Sequence, residues 1–277
     1  MLITISLVTY HNNPNDIINV IRSVNTITFP YKMFIIDNSN DEEIKKLCTN
    51  PCVEYIKTKT NLGFGAAHNI GISESQKLQS NYHLIVNPDI YFEKNTIESL
   101  ISYAETDQDI GLLMPKILYP NNDIQYLCKL LPNPMNLIFR RFIPIKKIVE
   151  KMNLRYELRF SGYDKIMNVP YLSGCFMFCR TSALEKVGSF DERFFMYLED
   201  IDLSRRLNEH YKTIYYPLVK VYHKFEKGSY KNKKLLNYHI KSTFMYFNKW
   251  GWIFDKQRKE SNNLALKQIL KDAVNGN

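Results

Sequence analysis

The stretch YHLIVNPDIYF, residues 82–92, is apolar up to Val86, breaks at Asn87-Pro88, and sets the carboxylate of Asp89 in front of a second apolar run. A short β-branched run bounded by an Asn-Pro break reads as a buried strand. Similar runs occur on either side of it, at LITISLVTY (2–10), YKMFIIDN (31–38), CVEYIKT (52–58) and IGLLMPKIL (110–118). Helical patterns fill several of the intervals: Pro14 to Val24 spaces Ile17, Ile18, Val20, Ile21 and Val24 after an early proline, and Thr96 to Ala104 can form another helix. Strands alternating with helices predict an α/β fold with a mostly parallel sheet flanked by helices.

In such a sheet, ligands bind beyond the carboxyl ends of the strands. Polar residues stand at those ends: Thr9, Tyr10 and His11 after the first run, Asp37 and Asn38 after the second, Asn61 after the third, Asn87 and Asp89 after the fourth. Any one of them could be a plain turn former. Four successive strand ends point to a ligand edge.

Two further stretches carry chemistry. TNLGFGAAHNIGIS (60–73) brings Asn61, Gly63 and Gly65 to the start of a helical pattern, where glycine lets backbone approach a ligand and a helix N-terminus favours negative charge. FFMYLEDIDLSRRL (194–207) groups Glu199, Asp200 and Asp202 ahead of Arg205 and Arg206. That grouping suits a helix start whose acids pair with the later arginines at helical spacing, and it equally suits a carboxylate general base.

From about 121 to 163 the sequence becomes basic, aromatic and proline-interrupted, as expected of an insertion. Strand signals return at VPYLSGCFMFCR (169–180) and YKTIYYPLVKVYH (211–223), and the stretch from Lys231 to Trp252 mixes lysines with aromatic residues. The expected organisation is one domain over 1–230 and a basic, aromatic, helical tail over 231–277.

At 277 residues and 45% hydrophobic composition the chain can bury a large core, which excludes a disordered protein. Lys and Arg number 37 against 28 Asp and Glu, a formal +9 that favours anionic partners. Nucleic acid is not the expected one, because acids at the strand ends would repel phosphate unless a metal intervened. Five cysteines, Cys48, Cys52, Cys128, Cys175 and Cys179, lack zinc-ligand spacing and read as reduced cytosolic thiols. The opening MLITISLVTY has no basic flank, and no stretch is apolar for long enough to span a bilayer. A cytoplasmic protein is expected, with contact at the inner face of the membrane left open.

In order, LVTYHN, IIDNSN, NLGFGAAHNIGI, LIVNPDI, LSGCFMFCR and FDERFFMYLEDIDLSRRL resemble the inverting family 2 glycosyltransferases of the GT-A fold, a Rossmann-like sheet flanked by helices. The likeness is strongest to the rhamnosyltransferase branch that builds O-antigen or capsular polysaccharide, and it covers roughly residues 1 to 225. It implies a nucleotide-sugar donor, with dTDP-rhamnose favoured and UDP-hexoses or galactofuranose open, and a glycan or lipid-linked oligosaccharide acceptor. Thr9, Tyr10, Asp37, Asn38, Asn61, Gly63 and Gly65 would border the nucleotide, and Ser173 and Gly174 would pass beneath the transferred sugar. Asp200 would be the base. Asn87 and Asp89 would stand in for a DXD motif, in which Asp89 holds Mg²⁺ or Mn²⁺ against the diphosphate. Because Asn87 replaces the first carboxylate, one charged ligand is lost, and His223 is the implied nitrogen ligand, which Mn²⁺ tolerates better. Its alternative is a surface histidine after a strand.

The positive charge lies outside these motifs. Arg140, Arg141, Lys146, Lys147 and Lys151 share the insertion with apolar residues, and Lys231, Lys233, Lys234 and Lys241 stand among the aromatics of the tail. These elements are expected to rest on an acidic leaflet or, alternatively, to form a solvated basic face or a contact within a homo-oligomer.

Overall fold

The computed structural model of the chain describes residues 1–224 and 233–274. The expected domain boundary at 230–231, and Lys231 with it, lies outside the described residues.

The strands form as the runs predict. β1 (Ile3–Thr9), β2 (Tyr31–Asp37), β3 (Val53–Lys57) and β4 (Tyr82–Val86) pair in parallel in the order β3-β2-β1-β4. Every residue of β4 is buried, as a central strand covered on both faces requires. α1 (Pro14–Val24) starts where the sequence signals it: the Asn13 side chain accepts from the Asn15 amide, Pro14 opens the first turn, and Ile17, Val20 and Val24 go into the core. α2 (Phe64–Lys77) and α3 (Thr96–Ala104) follow β3 and the short β5 (Ile90–Phe92).

Beyond β4 the sheet is mixed. β6 (Ile110–Leu118) leads into the insertion, which contributes the two-residue β7 (Cys128–Lys129) and the helices α4 (Pro134–Leu137) and α5 (Lys146–Tyr156), and the short β8 (Met167–Asn168) and β9 (Tyr171–Leu172) follow it. The chain then re-enters as β10 (Phe176–Arg180), antiparallel to both β4 and β6. α6 (Thr181–Val187) and α7 (Glu199–His210) precede β11 (Lys212–His223), which is parallel to β6 and antiparallel to β5 and β8. A helical crossover returns a strand in parallel; the insertion returns it from the opposite edge, so the antiparallel pairing is larger than the alternating pattern predicts. Pro217 cannot donate to the ladder, and the register of β11 against β6 shifts between Tyr216 and Lys220.

These directions gather the site on one edge. The carboxyl ends of β1 to β4, β6 and β11 lie there, and because β10 runs the other way its preceding residues, Ser173 to Cys175, lie there too. α8 (Lys233–Trp250) and α9 (Lys256–Val274) complete the described chain. Tyr246 and Phe247 of α8 share a buried cluster with Leu131, Tyr171, Phe194, Leu198 and Ile201. Among the described residues, no helix is long and apolar enough to cross a membrane.

Candidate functional site

The ends of β1 and β2 are bonded to each other. Thr9 Oγ1 donates to Asp37 Oδ1 at 3.0 Å, the Ser39 amide donates to the same oxygen at 2.9 Å, and Tyr55 Oη donates to Oδ2 at 2.8 Å. Asp37 is fully buried. Burial opposes its charge, but the bonds from Ser39, Tyr55 and Thr9 outweigh burial and hold its pKa below the ordinary carboxylate value. Thr9 is equally buried, whereas Tyr10 is half exposed with its ring edge-on to His11. Thr9 and Asp37 thus form a rigid floor, above which Tyr10 is the accessible side chain.

Asn38 carries that floor to the glycine loop. Its Nδ2 donates to the Gly63 carbonyl at 3.1 Å and its Oδ1 accepts from Thr58 at 2.9 Å, while Asn61 Oδ1 accepts from the Gly63 amide at 2.9 Å. Gly63 has φ +83°, and a Cβ there would sit 2.0 Å from the Phe195 carbonyl oxygen. Only glycine fits, because the backbone conformation and the close approach both exclude a side chain. Gly65 packs on Phe190 and Gly174 on Asp200, where added Cβ atoms would meet them at 2.9 and 3.0 Å. Gly63 and Gly65, expected to border a nucleotide, are therefore also the points where the loop after β3 seats against the segment leading to α7.

That segment ends in two successive left-handed residues, Tyr197 (φ +72°) and Leu198 (φ +68°). Strained backbone of this kind persists only where its surroundings over-determine it, and here it aims Glu199 and Asp200. Asp200 Oδ2 accepts from the Gly174 amide at 2.9 Å and from Tyr171 Oη at 3.1 Å; Oδ1 accepts from the Ile201 amide at 2.9 Å. The neighbouring Glu199 is buried, and its Oε2 has no hydrogen-bond partner among the described residues. Burial raises both carboxyls, and at Glu199 the Asp200 charge adds to it, pushing that group up to about 8. At Asp200 the Gly174 amide, Tyr171, the Ile201 amide and the Lys129 ammonium counter burial. Both carboxyls are thus raised by burial, and Asp200 has more donors to counter it than Glu199 has.

Lys129 stands across the β7–β9 ribbon from Tyr171, its Nζ 5.8 Å from the centre of that ring and 5.9 Å from that of Tyr156. Burial pulls its pKa down. Neither Lys129 nor Tyr171 is evident as a site residue in the sequence. Tyr171 has a faint signal, a hydroxyl just before the small-residue turn of YLSG; Lys129 has none.

Asn87, Pro88 and Asp89 make the turn between β4 and β5. The Asn87 amide donates to the Cys175 carbonyl at 2.9 Å. One strand of chain, Ser173-Gly174-Cys175, therefore bonds Asp200 on one side and the Asn87-Pro88-Asp89 turn on the other. Asp89 Oδ1 lies 3.2 Å from Nε2 of His223, whose Nδ1 lies 2.9 Å from Gln125 Oε1. His223 is buried, which rules out the surface-histidine alternative. Burial opposes its protonation, but Cys175 and Asp89 favour it and push its pKa up to about 10. Carboxylate and imidazole together suit Mn²⁺. Among the described residues no cluster of three or more His, Cys, Asp or Glu side chains could hold a metal ion. Asp89 and His223 fit a cation as a partial ligand set that a diphosphate would complete.

The acids and arginines of α7 divide between the two sequence readings. Arg206 pairs with Asp202 one turn earlier at 2.9 Å, as helical spacing predicts. Arg205 instead reaches Asp255, with Nη1 and Nη2 at 2.8 and 2.7 Å from its two oxygens, and its guanidinium lies 4.0 Å from the Trp250 ring centre. Trp250 Nε1 donates to Asp202 at 2.8 Å and Lys249 lies 2.7 Å from the same carboxylate. The helix that carries Asp200 is thus clamped from behind by α8 and the turn after it.

Residues 6–188 match the family model described as Glycosyl transferase family 2. The N-acetylglucosaminyl-diphospho-decaprenol L-rhamnosyltransferase of Mycobacterium tuberculosis is 26% identical over 233 residues, 78% of this chain and 74% of that protein. Rhamnosyltransferase WbbL of Escherichia coli is 24% identical over 249 residues, 87% and 90% of the two chains. Among solved structures, the mannosyltransferase PcManGT of Pyrobaculum calidifontis, in complex with GDP-Man and Mn2+, has a TM-score of 0.58 at 15% identity, covering 88% of this chain and 64% of that one. S. aureus TarS 1-349 in complex with UDP has a TM-score of 0.56 at 14% identity, covering 86% and 64%. These structural likenesses are of fold, and the chain spans just under two thirds of either structure.

Proposed function

The chain belongs to glycosyl transferase family 2, and from that premise we propose that it moves rhamnose from dTDP-rhamnose to a hydroxyl of a lipid-linked glycan, with inversion at the anomeric carbon. Asp200 takes the proton of the attacking hydroxyl as the new bond forms. Glu199 stays protonated beside it, so the pair carries a single negative charge. Tyr171 and the Gly174 amide hold the Asp200 carboxylate in place, leaving it lone pairs for an acceptor hydroxyl.

The observation that carries this reading is the Ser173-Gly174-Cys175 segment. It bonds the candidate base on one side and the Asp89 turn on the other, so proton removal and diphosphate departure fall at two ends of one short stretch. Asp89 and His223 would hold a divalent cation there, and that ion, when bound, would offset charge on the leaving diphosphate. Asn61 and the Gly63 and Gly65 backbone would border the nucleotide, with Tyr10 against its base and Asp37 acting through the floor it forms with Thr9. The rhamnosyltransferase relatives support rhamnose, and the decaprenol-linked substrate in one of their names supports a lipid-linked acceptor. UDP-hexoses and galactofuranose are the competing donors.

The test is a panel of dTDP-rhamnose, UDP-glucose, UDP-N-acetylglucosamine and UDP-galactofuranose, followed by donor hydrolysis and by transfer to a lipid-linked acceptor. Turnover is expected with dTDP-rhamnose, and Asp200→Asn is expected to cut transfer by about 10²–10⁴-fold while donor affinity holds. Preference for a UDP-sugar overturns the rhamnose assignment. Transfer by Asp200→Asn within a few-fold of the parent removes Asp200 from the base role.

A further inference from the structure

The outer side of α8 is unusual for a helix packed on a folded core. Its inner face buries Ser242, Thr243, Tyr246 and Phe247. Its outer face exposes Lys233, Asn237, Ile240, Lys241, Phe244 and Asn248, which recur at helical spacing and so form one stripe. The stripe runs into the turn between α8 and α9, where Ile253 is 77% and Phe254 is 94% exposed. Two adjacent large apolar side chains almost wholly in water are costly and mark an interaction site.

The charge of the same segment narrows the partner. From Lys233 to Phe254 there is no Asp or Glu, and Lys233, Lys234, Lys241 and Lys249 are all cationic. Lys249 is spent on Asp191 and Asp202, while Lys233 and Lys241 are exposed on the stripe. Arg258 ties the turn to the insertion, with Nη1 3.3 Å from the Pro132 carbonyl and Nη2 3.2 Å from that of Ile253. The insertion just beyond exposes Met135 and Phe139 as well.

We infer that the outer stripe of α8 and the Ile253-Phe254 turn are a docking surface for an anionic lipid bilayer. Lysines meet the headgroups, and Phe244, Ile253 and Phe254 enter the boundary with the acyl chains, as on interfacial helices that lie in the membrane plane. A second copy of the chain fits the surface poorly, because two acid-free, lysine-bearing stripes would repel each other on contact. The site for chemistry is one helix away: Ser242 Oγ donates to the Met196 carbonyl at 2.8 Å, and Trp250 donates to Asp202 on the helix of Asp200. Docking would therefore hold Asp200 at a fixed height above the membrane. The inference does not depend on which sugar is transferred.

Sedimentation of the whole chain with phosphatidylcholine vesicles, and with the same vesicles containing phosphatidylglycerol, tests it. Binding is expected to the anionic vesicles and to fall with salt. The Ile253→Ser/Phe254→Ser pair should weaken it by about tenfold or more, and Lys233→Glu/Lys241→Glu should weaken it as well. All four positions are exposed, so donor hydrolysis in solution should be unchanged in both variants. Negligible binding to both vesicle types overturns the inference. So does salt-sensitive binding that the serine pair leaves intact, or a stable dimer that the serine pair dissociates, which would make the surface a contact between copies.

Discussion

At the scale of the residue, the site turns on two adjacent carboxyls with different neighbours. Asp200 has three donors on its two oxygens, one of them a tyrosine hydroxyl, whereas Glu199 has backbone amides alone and its Oε2 has no partner among the described residues, so burial is countered less at Glu199. The proton of Glu199 has a thermodynamic consequence. Its pKa is about 8 in the fold against an ordinary 4.5, so between those values the folded chain binds more protons than the unfolded one. Stability from this group is then fully present below about pH 4.5 and is lost as pH rises through 8. Glu199→Gln should flatten that slope, so that urea midpoints at pH 5, 7 and 9 differ less than in the parent; an unchanged slope would place the proton elsewhere. Lys129 acts on the other member. Its ammonium favours the Asp200 carboxylate, so Lys129→Met should move the acidic limb of kcat/KM to higher pH, whereas a purely structural lysine would lower the rate at every pH alike.

At the scale of the element, the strand ends carry a prediction about the cation. Asp89 supplies a charged oxygen and His223 a neutral nitrogen once its proton is displaced, so Asp89→Ala should abolish Mn²⁺-dependent binding of nucleotide diphosphate in calorimetry. His223→Ala should weaken it less than Asp89→Ala does, since it removes a neutral ligand rather than a charged one. Equal affinity in the parent and Asp89→Ala would remove this pair from cation binding. Much at this scale is legible in the sequence. The early strands and α1 are written in local pattern, through period, proline and a capping asparagine, and Asp89, Asp200 and His223 stand at element ends that a reader can locate. The direction of β10 is not legible, because pattern encodes a strand but not the route by which the insertion delivers it. Tyr171 and Lys129 escape for a related reason: they face each other in a two-residue ribbon, where alternation has no length in which to show.

At the scale of the whole molecule, the question is whether the C-terminal helices belong to the folding unit of the sheet. Arg205 is legible as charge but not by partner, since Asp255 lies 50 residues further along the chain rather than one turn away. Both side chains are 2% exposed, and Tyr246, Trp250 and Gln257 surround them. We propose that residues 1–230 are the catalytic domain and that the later helices, although a separate segment in sequence, unfold with it. Removing one partner of a buried ion pair leaves the other charge uncompensated, so Arg205→Met should cost about 3–5 kcal/mol in urea denaturation, and Arg205→Met/Asp255→Leu should recover much of it. Because α7 carries both Arg205 and Asp200, the single variant should also lower transfer. A single cooperative transition shifted to lower urea is the expected result. Two transitions, with the sheet unfolding at the parent's midpoint, would instead show that α8 and α9 are an independent unit resting on α7, and the clamp would then bear on the position of Asp200 without contributing to the stability of the sheet.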